Sequence, residues 1–158
     1  MNYWLTNVLL DTNFIKEKDW VKGTQTELSA IHIIDGKIVD IIPQQELPLI
    51  IENNIIVANH QLLLPGLVGK HYHLGKSKLG TPWTPVTQAK NLVERFETEI
   101  PILDSLNKTI SERANILYQL EVTNGVTSFR SHIDIEPATE LRYFDAIVDL
   151  RKQVNIPY

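Results

Sequence analysis

His71 and His73, one residue apart in Gly69-Lys70-His71-Tyr72-His73-Leu74, are the side chains of this sequence whose type and spacing can do chemistry. They close an apolar run, Leu62 to Val68, that passes through Pro65-Gly66 and reads as a short buried strand. In a strand, side chains at i and i+2 point to the same face, with Cα atoms about 6–7 Å apart. Both imidazoles can then aim at one point while Tyr72 faces the other way. Two converging neutral imidazoles suit a divalent metal, zinc most often, at N–metal distances of about 2.0–2.1 Å. An H-x-H pair alone is a weak motif, because histidines also serve as packed or surface residues. Two features raise it here: the apolar strand leading in, and the strongly polar Gly75-Lys76-Ser77-Lys78 directly after. The pair reads as two metal ligands.

A second stretch, Val126 to Ile135, has the composition of another strand. By parity Ser128, Arg130, His132 and Asp134 share one face, and Thr127, Phe129, Ser131, Ile133 and Ile135 the other. The second face is mainly apolar and fits packing against helices. Three ionisable residues on the first face are costly in a closed core unless paired or near a wet mouth. One reading is a satisfied polar cluster, with Arg130 bridging to Asp134 or another acid. The other puts His132 and Asp134 at the same mouth as His71 and His73. His32 and His60 have no partner at ligand spacing and read as packed or surface residues.

The elements that position these residues follow from periodicity. Tyr3 to Leu10, Leu28 to Asp35, Lys37 to Ile42 and Ile55 to Asn59 are short runs rich in Val, Ile and Leu, hence strands. Asp35-Gly36 marks a two-residue hairpin. The polar stretch Thr12 to Thr26 reads as a surface loop or short helix. Thr81-Pro82-Trp83-Thr84-Pro85 is a rigid loop, since proline fixes φ. Ala89, Leu92, Val93, Phe96 and Ile100 recur at helical spacing up to Pro101. A second helix starts at the capping box Thr109-Ile110-Ser111-Glu112, runs through Ala114, Leu117 and Leu120, and stops at Gly125. A third spans about Thr139 to Val154, through Leu141, Phe144, Val148 and Leu150. A further strand is expected to begin in Asn155-Ile156-Pro157-Tyr158.

Length and composition narrow the class. The 158 residues suffice for a domain with a real core, and 43% hydrophobic with 22% charged is ordinary for a globular protein. A net charge of −4 argues against nucleic acid as a partner. The absence of cysteine removes disulfides and thiolate sites, leaving His, Asp and Glu as ligands. No secretory leader pattern and no bilayer-length apolar run are present, so a cytoplasmic protein is expected, with no membrane partner.

With these residues in view, the chain resembles the amidohydrolase superfamily, and within it the cytosine deaminase-like branch. The segment Leu64-Pro65-Gly66-Leu67-Val68 into His71-Tyr72-His73-Leu74, and on to Gly80-Thr81-Pro82-Trp83, is similar to the branch's H-x-H-L-D-K segment with its following Gly and Pro-Trp. Gly125-Val126-Thr127-Ser128-Phe129-Arg130-Ser131-His132-Ile133-Asp134 is similar to its G-x-x-x-x-R-T-H-x-D strand. The resemblance covers roughly residue 28 onward, and two blocks in order are far more specific than a lone H-x-H. It implies an α/β fold: the N-terminal part of a TIM-barrel amidohydrolase, with the first two barrel strands and helices, after a small β-sandwich-like domain. Residues 1–64 would be the N-terminal half of that sandwich, and 65–158 the start of the metal-dependent barrel.

The resemblance also implies roles. His71 and His73 match metal ligands, and Arg130, His132 and Asp134 fall in the strand that lines the substrate pocket, with Trp83 in a loop that can cover it. In the family, a metal-activated water attacks a carbon of a small heterocycle and ammonia leaves. Gly75 departs from the pattern, standing where the branch usually has Asp, and so does Gly69, where an acid is common. From His71 to Tyr158 there are 158 − 71 + 1 = 88 residues, against about 250 for a whole barrel. The family's remaining ligands and its catalytic glutamate come from later strands, so no catalytic residue is assigned in this chain. A divalent metal, zinc or iron, would be incompletely ligated, and the isolated chain is expected to be inactive. Two strands cannot close a barrel, so self-association, or pairing with a chain carrying the missing strands, is expected. Two rivals stand beside this. One is a stand-alone α+β binding domain with structural histidines, which His71→Ala and His73→Ala would leave folded and functional. The other is a cyclic amide hydrolase of the same superfamily.

Overall fold

A long hairpin dominates the first of two units, Met1–Pro65. In this computed structural model, residues 1–48, 54–85 and 88–154 are described. Strands β1 (Asn2–Glu17) and β2 (Trp20–Ile34) pair antiparallel from Asn2↔Ile34 to Glu17↔Trp20. β3 (Lys37–Pro43) returns along β2 across Asp35-Gly36, whose φ values of 49° and 77° meet the demand of a two-residue turn. β4 (Asn54–Val57) lies parallel to β1 on its other side, giving the order β3-β2-β1-β4. Trp4, Thr6 and Val8 are buried at alternate positions of β1, the period of a half-buried strand, with Ala30 and Ile31 of β2 buried too.

The stretch 12–26, expected as a loop or helix, is instead the outer part of this hairpin, turning at Lys18 and Asp19. Its residues are almost all exposed, so no burial pattern marks the strands. What holds it is the backbone ladder, helped by Thr, Ile, Val and aromatic residues that favour extended chain. β4 stops at Val57, short of Asn59, because Asn59 and His60 take φ of 50° and 60° and turn the chain.

The second unit begins at Gly66. β5 (Leu67–Tyr72) and β6 (Val126–Ser131) are parallel neighbours, and the crossover between them holds α1 (Leu92–Asp104) and α2 (Ile110–Thr123). α3 (Arg142–Gln153) follows. α2 has both halves of the capping box: Thr109 Oγ1 accepts from Glu112 N–H, and Glu112 accepts from Thr109 N–H. It is stopped at Gly125, whose φ of 88° suits a residue without Cβ. Leu74, Ala114 and Leu150 form the core, with Tyr72, Leu117, Ile147 and Val154 packed against them. Phe129 lies 5.0 Å from the Tyr118 ring, so the apolar face of β6 meets α2 as its parity indicates.

Several expectations shift here. α1 starts after Ala89 and runs through Pro101 to Asp104, although proline removes an internal hydrogen bond. Burial of Ile100 and Leu103 on one face holds that last turn, whereas Leu92 and Val93 are exposed. In α2 Ala114 is buried as its spacing indicates, but Leu120 is exposed, with Arg113 and Tyr118 buried in its stead. α3 begins at Arg142, and its inner face is Tyr143, Ile147, Leu150 and Val154, leaving Leu141 and Phe144 outside. That face keeps helical spacing but is rotated from the expected one. β6 ends at Ser131, so Ile135 lies beyond the strand and is exposed. β5 is not buried: Leu67 is 54% and Val68 57% exposed, as befits a sheet of two strands. The strand expected within residues 155–158 lies outside the described residues.

Candidate metal centre

The ends of β5 and β6 bring three imidazoles together. His71 and His73 share a face, as i and i+2 must, and their Nε2 atoms are 3.4 Å apart. The His132 ring centroid is 4.5 Å from that of His71 and 5.6 Å from that of His73. One ligating nitrogen from each of the three lies within 4.8 Å of the others. The backbone accounts for this level. His132 N–H donates to Tyr72 C=O at 2.6 Å, carrying the parallel pairing one residue past β6. Leu74 N–H donates to Ser131 Oγ at 3.3 Å and fixes the turn after His73.

Tyr72 points away, as expected. Its hydroxyl donates to Glu121 Oε2 at 2.8 Å, and this bond to a carboxylate holds the phenol above its ordinary pKa. The polar run after His73 is less solvated than its composition implies. Leu74–Lys76 forms a single 3₁₀ turn in which Leu74 and Gly75 are buried. A Cβ on Gly75 would meet Tyr143 Cδ1 at 2.8 Å, so Tyr143 fills the space that a larger residue there would take. Burial raises the Tyr143 phenol pKa, and its hydroxyl has no hydrogen-bond partner among the described residues.

Lys76 organises the charges beside the histidines. Its side chain is only 15% exposed, and its Nζ reaches both Asp134 Oδ2 and, at 2.9 Å, Glu99 Oε2 of α1. Burial works against its charge, but the two carboxylates outweigh this and hold its pKa above the ordinary lysine value. Asp134 Oδ1 lies 3.7 Å from His73 Nδ1. The cation that partners Asp134 is therefore Lys76 and not Arg130. Arg130 is exposed in β6 and makes no ion pair among the described residues. Trp83 is 84% exposed. Thus His71, His73, His132 and Asp134 come together, while Trp83 and Arg130 stand outside the cluster. Glu99 and Tyr143 carry no signal of their own in the sequence, whereas Lys76 does, as the lysine three residues past the histidine pair in the segment that carries the resemblance.

The donor set fits a divalent metal. Two nitrogens at about 2.1 Å from one ion in tetrahedral geometry stand about 3.4 Å apart, the separation that His71 and His73 show. A hydrogen bond between the two imidazoles also fits that distance, yet leaves the approach of His132 unexplained.

Known proteins share this fold. No family model matches the chain. It is 32% identical over 148 residues to the uncharacterized protein YahJ of Escherichia coli (strain K12), a match that covers 89% of this chain and 31% of that one. Among solved structures, N-isopropylammelide isopropylaminohydrolase from Burkholderia multivorans ATCC 17616 aligns with a TM-score of 0.72 at 22% identity, over 96% of this chain and 34% of that chain. 5-Methylcytosine deaminase from Klebsiella pneumoniae aligns with a TM-score of 0.65 at 20% identity, over 95% and 33%. Guanine deaminase from C. acetobutylicum gives 0.53 at 18% identity, over 94% and 34%. The chain spans about a third of the length of each of these proteins. The mixed α/β fold described for this chain corresponds to about a third of each of these solved structures. Among the described residues, no helix is long and apolar enough to cross a membrane.

Proposed function

We propose that this chain is the N-terminal part of a metal-dependent amidohydrolase that hydrolyses a C–N bond of a small heterocycle, a cytosine-like ring being the preferred substrate. The observation that carries the reading is the convergence of His71, His73 and His132 at the ends of two parallel strands. Strand ends of this kind carry the chemistry in α/β barrels, and the two strands and their helices correspond here to the start of one. His71 and His73 hold the ion with His132 as its third nitrogen donor, and Asp134 lines the pocket beside it. Arg130 and Trp83, both exposed outside this cluster, would have to move to reach the substrate. A bound zinc or iron would supply a water of lowered pKa and polarise the target carbon.

The same geometry supports a chain that binds metal without turnover. Asp134, the acid beside the histidines, is ion-paired with Lys76. Leu67 and Val68 of β5 are exposed on a two-stranded sheet, which favours cover by further parallel strands, from a second copy or another polypeptide. A cytoplasmic location accords with the cysteine-free sequence. The test is to load the purified 158-residue chain with zinc and measure bound metal, particle mass by light scattering, and ammonia released from cytosine. About one zinc per chain, an assembly larger than a monomer and no ammonia are expected. No bound zinc refutes the metal reading, a monodisperse monomer refutes the assembly, and zinc-dependent ammonia release refutes the inactivity.

A further inference from the structure

We propose that Lys76, acting through Asp134, is the positioning residue that keeps His73 Nε2 turned toward His71 and His132. This rests on the reading of the three histidines as a divalent-metal site. An imidazole that ligates through Nε2 carries its proton on Nδ1, and ligand histidines commonly donate that proton to a carboxylate that fixes ring and tautomer. His73 is arranged in that sense. Its Nε2 lies 3.4 Å from His71 Nε2, and its Nδ1 faces Asp134 Oδ1 at 3.7 Å. That gap is about 1 Å longer than a charge-assisted hydrogen bond, a distance a small ring movement closes.

Asp134 lies beyond the end of β6, where no strand ladder holds it. Its other oxygen, Oδ2, is taken by Lys76, and Lys76 is itself anchored from α1, by Glu99 at 2.9 Å and by the Phe96 ring 4.6 Å from its Nζ. A lysine gripped from one helix thus sets which way the carboxylate faces. Two carboxylates and one ammonium also leave a net charge of −1 beside the histidines, the sign that favours a cation.

The identity of each donor makes a sharp consequence. In Asp134→Asn, Lys76 can bond only to the amide oxygen, so the amide nitrogen is left to face His73 Nδ1. Donation from that nitrogen forces Nδ1 to accept and moves the imidazole proton to Nε2, the wrong form for ligation.

The experiment is long-range ¹⁵N–¹H correlation NMR on the metal-free, ¹⁵N-labelled 158-residue chain at neutral pH, followed by zinc titration calorimetry. The wild-type chain is expected to show His73 protonated at Nδ1. D134N is expected to show it protonated at Nε2, and K76M a mixture. K76M combined with D134N should relax D134N back toward that mixture, a coupling that mere packing does not produce. Zinc affinity should fall about 10- to 100-fold in D134N and K76M and recover in K76R. His73 protonated at Nδ1 in D134N overturns the proposal, and so does unchanged zinc affinity in a folded K76M. If K76M does not fold, the D134N tautomer decides alone. If the wild-type chain binds no zinc, the metal reading fails, while the tautomer comparison still settles the role of Lys76 and Asp134.

Discussion

His32 in the first sheet and the histidines at the end of β5 put the same side chain to different use. His32 Nε2 lies 2.7 Å from Asn2 Oδ1, and its ring stacks on Trp4 at 4.5 Å with only 3° between planes. Both its polar and its apolar needs are met by neighbours in the sheet. His71, His73 and His132 face chiefly one another, and the acid beside them, Asp134, is already paired with Lys76. The difference teaches that histidine count and burial say little, whereas the partner of each ring nitrogen says a great deal. Nitrogens aimed at one point from two strands are a binding arrangement; a nitrogen bonded to its own cross-strand neighbour is a structural one.

The largest effect should come from breaking that contrast directly. The double change H71A and H73A is expected to lower zinc affinity by on the order of 100-fold or more, because a site needs three or four protein ligands. H32A should leave zinc binding within about twofold and instead lower stability by about 0.5–1.5 kcal/mol through the lost stacking. Titration calorimetry and thermal melts of both variants, side by side, make the measurement. Equal loss of zinc in the two would abolish the distinction. A smaller effect is expected from G75A, since the new methyl would press on Tyr143 beneath the histidines. Overpacking of this kind costs about 1–3 kcal/mol, and a melt unchanged from wild type would mean that Tyr143 yields freely.

Much of this contrast is legible in the sequence. The spacing of His71 and His73 fixes their common face, and Asp35-Gly36 and the Thr109 to Glu112 box mark boundaries that the chain adopts, because these are local requirements of backbone and hydrogen bond. His32 reads as structural for want of a partner at ligand spacing, and Asn2 with Trp4 supplies the reason. Other features depend on tertiary neighbours and leave no local signal. The hairpin through residues 12–26 is exposed on both faces, so no hydrophobic alternation announces it. Pro101 reads as a stop until the burial of Leu103 is known. The α3 face through Tyr143 and Ile147 has the same period as the one through Phe144 and Val148, and only packing chooses between them. Parity offers Asp134 a partner on its own strand, Arg130, but the true partner comes from the turn after β5, and sequence parity cannot see across strands.

The smallest expected effect sharpens the comparison from the side of α2, which packs against the histidine-bearing strands. Glu112 bonds the Thr109 backbone and hydroxyl, and these bonds, with Lys108 nearby, hold its carboxyl below the ordinary value of 4.5. A carboxyl whose pKa falls on folding contributes stability that is fully present above the unfolded value and is lost as pH drops through the folded one. The α2 amides should therefore lose hydrogen-exchange protection, corrected for intrinsic rates, as pH falls from about 5 to about 3. In E112Q that acid limb should flatten, because no proton is taken up there, while protection in the β1–β2 hairpin around Trp4 follows the same course in both proteins. A limb of equal depth in wild type and E112Q would assign the acid sensitivity of the helix to another carboxyl. Loss of protection in both regions together would show that the two melt as one, and that His32 and the three-histidine cluster cannot be perturbed separately.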